Sequence, residues 1–215
     1  MTVKPDQALE DDWPELTFPE LESKHVEEVY RRGKVILEFG SGGSTMLAAK
    51  MPDKLIYSVE SDLIWAIKLQ ERLDRDGISP VYVHHVDIGR TGSYGRPLDD
   101  SNWQSFHRYA TSIWMEPFFR HPDVVLIDGR LRSACFLFTC ISIRKPTIIL
   151  FDDYVERPKY HQIERLAKPS KIIGRMAEFN VSSPIPATPE LIFLFSELCG
   201  QMTYSGRGPV SYEEE

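Results

Sequence analysis

Residues 35–45 read VILEFGSGGST, and this stretch decides the fold. Val35, Ile36 and Leu37 form a short β-branched-rich run with the continuous apolar character of a strand covered on both faces. Glu38 follows. Gly40 and Gly42, flanking Ser41, then let the backbone turn tightly and approach a ligand closely, with Gly43 completing the loop. Thr45 opens a helix that Pro52 cuts short. A strand, a glycine turn and a helix are the first half of a βαβ unit.

Working outward, the alternation continues. Residues 55–59 are a second strand, and Ser61 is placed as the N-cap of a helix carrying Leu63, Ile64, Ile67 and Leu73 on its apolar side, closed by Gly77. Residues 81–86 and 124–127 are the third and fourth strands, the latter followed by a helix over 131–143. Residues 147–151 are the fifth, followed by a helix over 159–167. Such alternation predicts an α/β fold with a mostly parallel sheet. Residues 171–179 and 191–195 have no helix signal between them and are expected to pair as an antiparallel C-terminal hairpin. Upstream, residues 21–32 carry an apolar stripe of Leu21, Val26, Val29 and Tyr30 and end at Gly33. Residues 1–20, acidic and punctuated by Pro5, Pro14 and Pro19, read as a loosely ordered lead-in whose Trp13, Leu16 and Phe18 are available to pack. Residues 21–215 are expected to form a single domain.

The chain has 215 residues and a formal charge of −7, which argues against sequence-independent nucleic-acid binding. Its longest apolar run, residues 147–151, is too short for a bilayer, and the polar N-terminus gives no secretion signal, so a cytoplasmic protein is expected. The three cysteines, Cys135, Cys140 and Cys199, form no metal or redox motif and read as buried thiols.

In an open parallel sheet, ligands bind beyond the carboxyl ends of the strands. All five expected parallel strands end in an acid: Glu38, Glu60, Asp87, Asp128 and the pair Asp152-Asp153. Five like charges at one edge stabilise a fold poorly and point to a ligand rich in hydroxyl and amine donors, or to a cation. Glu60 stands about twenty residues beyond the glycine loop, where a carboxylate accepts hydrogen bonds from two ribose hydroxyls. No Lys-Ser/Thr follows the loop, which disfavours nucleotide hydrolysis. Thr45 stands where a dinucleotide fingerprint wants its third small residue. Glu38 would repel a pyrophosphate and attract an ammonium group.

VILEFGSGGST, YSVES, VDIG, LIDGR and ILFDDY, taken in order, resemble the class I S-adenosylmethionine-dependent methyltransferases over roughly residues 35–195. The overall look is of small bacterial methyltransferase-like proteins. The resemblance implies a Rossmann-like methyltransferase sheet and S-adenosylmethionine as cofactor. Glu38 and the Gly40, Ser41, Gly42, Gly43 loop would hold the methionine part, Glu60 the ribose, Asp87 with Ile88 the adenine, with Asp128 close by. Asp128, Asp152 and Asp153 also resemble the magnesium ligands of small-molecule O-methyltransferases. The sequence departs from that pattern, because Arg130 and then Arg132 follow the Asp-Gly pair. The arginines either neutralise the acids internally or bind a carboxylate or phosphate of the substrate. The reading favours Arg130 over Mg2+ as the counter-charge.

The catalytic candidates are therefore Asp128, Arg130 and Asp152. His161 is a general-base candidate, more simply read as a solvated helix residue. Trp103, Tyr109 and Trp114 are read first as core. The expected function is methyl transfer to oxygen on a small polar molecule, an anionic one where the arginines bind it, with neither nucleic acid nor membrane as partner. An NAD-dependent oxidoreductase and a non-catalytic cofactor-binding protein are the alternatives.

Overall fold

Seven strands form one sheet in the computed structural model, which describes residues 15–200. The strands are β1 (Val35–Phe39), β2 (Leu55–Glu60), β3 (Val81–His85), β4 (Val124–Ile127), β5 (Thr147–Phe151), β6 (Lys171–Ile173) and β7 (Met176–Val181). Their spatial order is β3-β2-β1-β4-β5-β7-β6. β1 to β5 are parallel, β7 runs antiparallel to β5, and β6 antiparallel to β7. The order reverses between β1 and β4, which creates the crevice where such sheets bind ligands.

Period-2 alternation assigns each strand residue to a face. Ile36, Val124, Leu126 and Leu150 pack with Val26, Val29 and Tyr30 of helix α1 (Glu20–Arg32). Leu37, Phe39, Val125, Ile127 and Phe151 face the larger core, built with α4 (Phe106–Thr111), α5 (Arg132–Ser142) and α6 (Pro189–Gly200). Tyr109 belongs to that core, whereas Trp103 is exposed. Among the described residues no helix is long and apolar enough to cross a membrane.

Four expectations need correction. The helix α3 (Leu63–Asp76) is capped by Asp62, whose carboxylate accepts from Trp65 N at 2.8 Å, and not by Ser61. Its inward stripe is Ala66, Leu69 and Leu73, while Leu63, Ile64 and Ile67 face outward. Two polar ties set that rotation: Trp65 Nε1 donates to Ser41 O, and Gln70 bridges Val81 O and Val83 N along β3. Residues 191–195 are helical. Pro189 suits a first helical turn, and Leu194 and Leu198 recur at helical spacing against the core. The antiparallel hairpin at the sheet edge is present, but it folds within 171–181. Residues 158–165 form a 3-10 segment, shorter and tighter than the expected helix. Trp13 lies outside the described residues.

Candidate functional site

The glycine loop begins where β1 meets β4. Phe39 O accepts from both Asp128 N and Gly129 N, at 2.9 and 2.5 Å. Gly40 has φ +101°, and a Cβ there would stand 2.7 Å from Gly129 Cα. The two strand ends therefore fuse through backbone, and neither glycine has room for a side chain. The helix α2 (Gly43–Ala49) starts directly behind the loop.

Glu38 lies beneath this loop and does not line the cavity above it. Strand alternation puts its side chain on the same face as Ile36, under α1. There it accepts from Tyr30 and Thr45 hydroxyls, both at 2.5 Å, and from Ser58 Oγ at 3.3 Å. Thr45 Oγ1 in turn accepts from Gly42 N at 3.0 Å. Burial pushes the Glu38 carboxyl up, against the hydroxyl donors that pull it down. Glu38 thus holds the loop's shape from below, and the expected direct contact with an ammonium group is corrected.

Above the loop is a cavity of about 610 Å³. Its walls are the glycine loop, Glu60, Asp62, Trp65, residues 92–95, residues 128–130 and residues 15–18. Glu60 Oε1 accepts from Ser61 N and Asp62 N at 2.7 and 2.9 Å. Its Oε2 accepts only a long 3.3 Å bond from Ser41 N, which leaves that oxygen with spare acceptor capacity. Burial raises the Glu60 carboxyl, while backbone donors from Asp62, Ser61 and Ser41 lower it.

Two walls came with little or no signal in the sequence. Residues 15–18 close over the loop so tightly that a Cβ on Gly43 would lie 2.4 Å from Glu15 O, and Phe18 is buried beside α1. Residues 92–95 cross above Glu60, with Gly95 O accepting from Ser61 Oγ at 2.7 Å. Gly95, at φ +64°, sits in that turn. Nothing in the pattern around Trp65 marked it as a wall residue.

Asp87 stands in an adjoining pocket with His85, Asn102 and Asp62, the last shared with the main cavity. Its carboxylate accepts from Gly89 N at 2.8 Å. The Ile88 side chain is wholly buried in the core, so the part of this residue available to a ligand is its backbone. His161 is held against Tyr154, its Nε2 3.1 Å from Tyr154 O, and is not part of the cavity wall.

Asp128, Asp152 and Asp153 converge, each offering an oxygen within 4.8 Å of the others. Arginines already occupy them. Arg132 lies 2.9 Å from Asp128 and 3.0 Å from Asp153. Arg175 grips Asp152 with two bonds, of 3.0 and 2.9 Å, and Arg157 lies 2.8 Å from Asp153. A divalent ion would have to displace these guanidiniums or share the site with them, so the residues do not fit a magnesium centre. The internal counter-charge is arginine, but Arg132 and not Arg130. Residue 132 reaches the acids because Leu131 turns left-handed at φ 50° and α5 starts immediately after it. Asp152 is corrected as well: it is sealed beneath Arg132 and Arg175 and does not line the cavity. Asp128 does line it, with 32% of its side chain exposed.

No family model matches the chain, and no curated protein matches it. Solved structures do. A methyltransferase-like protein from Silicibacter pomeroyi is 41% identical, over 87% of this chain and 97% of its own, with TM-score 0.83. Cofactor-bound Rv0187 from MTB is 14% identical over 80% of this chain and 84% of its own, with TM-score 0.54. A methyltransferase from Geobacter sulfurreducens is 9% identical over 77% and 80%, with TM-score 0.50. The last two share the fold.

Proposed function

The chain belongs to the class I S-adenosylmethionine-dependent methyltransferase-like family, and on that premise we propose that its switch-point cavity takes S-adenosylmethionine and serves methyl transfer to an oxygen of a small polar molecule. The observation that carries this reading is Glu60. One carboxylate oxygen is fixed by two backbone N–H groups, and the other faces a cavity opposite the glycine loop. That is the donor-poor, acceptor-rich wall that a pair of vicinal hydroxyls needs. The cavity volume suits a ligand of nucleoside size.

A bound sulfonium cofactor supplies an already activated methyl group, so the chain's work is orientation, exclusion of water and the handling of one proton. Glu60 and the loop orient. Trp65, residues 15–18 and residues 92–95 exclude water. Asp128 is the group placed to accept a hydroxyl proton, since it is the one acid of its cluster that lines the cavity. Burial pushes its carboxyl up to about 7; Arg132 pulls it down and Asp152 pushes it up. A base of that strength is half-ionised at neutral pH, which suits proton transfer. A small acceptor is favoured over nucleic acid, because the net charge is −7 and Arg132, Arg157 and Arg175 are committed to aspartates.

The test is a thermal-shift and calorimetry comparison. S-adenosylhomocysteine at a hundredfold its Kd is expected to add about 2.7 kcal/mol of stability, and NAD none. Glu60→Ala is expected to weaken S-adenosylhomocysteine by about 2–3 kcal/mol while remaining folded. A shift with NAD alone, or wild-type affinity in Glu60→Ala, would reverse the assignment.

A further inference from the structure

We infer that the acceptor molecule carries an anionic oxygen group, a carboxylate or a phosphate, and that Arg130 binds it. The inference rests on the cofactor reading above for its place in the reaction. Its physical basis is the pairing of charges beside the cavity wall. Three carboxylates, Asp128, Asp152 and Asp153, are met by three guanidiniums, Arg132, Arg157 and Arg175. Each of the three acids thus has a guanidinium partner without Arg130. Arg130 makes no ion pair among the described residues, although it is two residues from Asp128 and lines the same cavity. Among the described residues it is the one basic side chain on a wall whose acids are Glu15, Glu60, Asp62 and Asp128.

The side chain also has an unmet donor. Arg130 Nε is buried and has no hydrogen-bond acceptor. A buried N–H without a partner costs about 1–3 kcal/mol, a cost that a ligand oxygen beside Arg130 would relieve. The backbone of Arg130 is pinned: its N–H points to Tyr109 Oη at 3.4 Å, and its carbonyl accepts from Cys135 Sγ at 3.5 Å. The guanidinium is thus presented from a fixed turn, immediately after Gly129 and beside Asp128, the group placed to take the hydroxyl proton. Its Nε and Nη2 edge matches the two oxygens of a carboxylate or phosphate. An acceptor held by its anionic end at Arg130 would carry its hydroxyl between Asp128 and the glycine loop.

The experiment uses the full chain, with and without S-adenosylhomocysteine. Thermal shift and calorimetry are run with a panel of hydroxylated carboxylates, hydroxylated organic phosphates and their neutral amides or esters, all at millimolar concentration. Inorganic phosphate and acetate serve as bare-anion controls. Wild-type hits are expected among the anionic members. Arg130→Gln is expected to weaken them by about 10- to 100-fold, with partial recovery in Arg130→Lys and a smaller change in S-adenosylhomocysteine affinity. Carboxylate hits without phosphate hits, or the reverse, identify the group. The inference is overturned if neutral members bind as well as anionic ones, if anionic hits survive Arg130→Gln, or if no anionic member binds the wild type. Failure of S-adenosylhomocysteine to bind would instead sink the cofactor reading, and the panel on the free chain would still report on Arg130.

Discussion

Arg130 and Arg132 show how far a residue's role depends on a few degrees of backbone. Both follow Asp128-Gly129, and nothing in their types separates them. The left-handed turn at Leu131 carries Arg132 inward, where 6% of its side chain remains exposed, and leaves Arg130 on the cavity wall. A positive φ at a leucine is not legible in sequence, so the pairing was not either. The energetic consequence can be measured. Arg132→Leu strips the shared guanidinium from Asp128 and Asp153 and is expected to cost about 3–5 kcal/mol in denaturant unfolding. Arg130→Leu is expected to leave the chain as stable as wild type or more stable by up to about 1–3 kcal/mol, because it breaks no ion pair and removes a buried donor without a partner. Magnesium should leave the wild-type melting temperature unchanged. Equal losses for the two arginines, or marked stabilisation of the wild type by magnesium, would contradict this division of roles.

Elements were legible wherever burial on both faces left a continuous apolar run, as in β1, β4 and β5, and wherever a glycine or acid marked the strand end. They were illegible where polar ties or neighbours overrode the pattern. The rotation of α3 is set by Trp65 and Gln70 and not by its most apolar face. Residues 191–195 are apolar enough to serve as a strand, but β7 already satisfies the edge of β5, and the segment packs as α6 on α4 and α5. The cavity wall made by residues 15–18 escaped notice because it depends on a contact across the chain, at Gly43. That contact gives a test at this scale. Gly43→Ala would drive a Cβ into the Glu15 carbonyl, a backbone atom that cannot swing aside as a flexible side chain would. The variant is expected to keep the wild-type circular dichroism spectrum and to bind S-adenosylhomocysteine about tenfold more weakly, about 1.4 kcal/mol. Unchanged affinity would mean that residues 15–18 do not bound the ligand.

The whole molecule places three carboxylates around one crevice, Glu38 and Glu60 buried and Asp128 partly so, and loss of solvent raises all three. A raised carboxyl holds its proton in the folded chain at pH values where the unfolded chain has released it. The folded state then binds more protons, so stability falls as pH rises. For Asp128 the window runs from the ordinary value of 3.8 to about 7, and its contribution is flat above that. Net charge acts in the same direction, since a chain at −7 repels itself more as further protons leave. The melting temperature is therefore expected to be higher near pH 6 than at pH 8. Asp128→Asn should flatten the slope between them, whatever it does to absolute stability through its bond to Arg132. Proton acceptance by Asp128 has the opposite dependence, because only the ionised form can take a hydroxyl proton. Methyl transfer should rise through pH 7 while stability declines, and Asp128→Asn should abolish the first trend and flatten the second. A melting temperature that climbs from pH 6 to pH 8 would show that these carboxylates are ionised in the fold and that the crevice tolerates their charge. Asp128 would then be a fixed anion beside Arg132, and the proton acceptor would have to be sought elsewhere in the cavity wall.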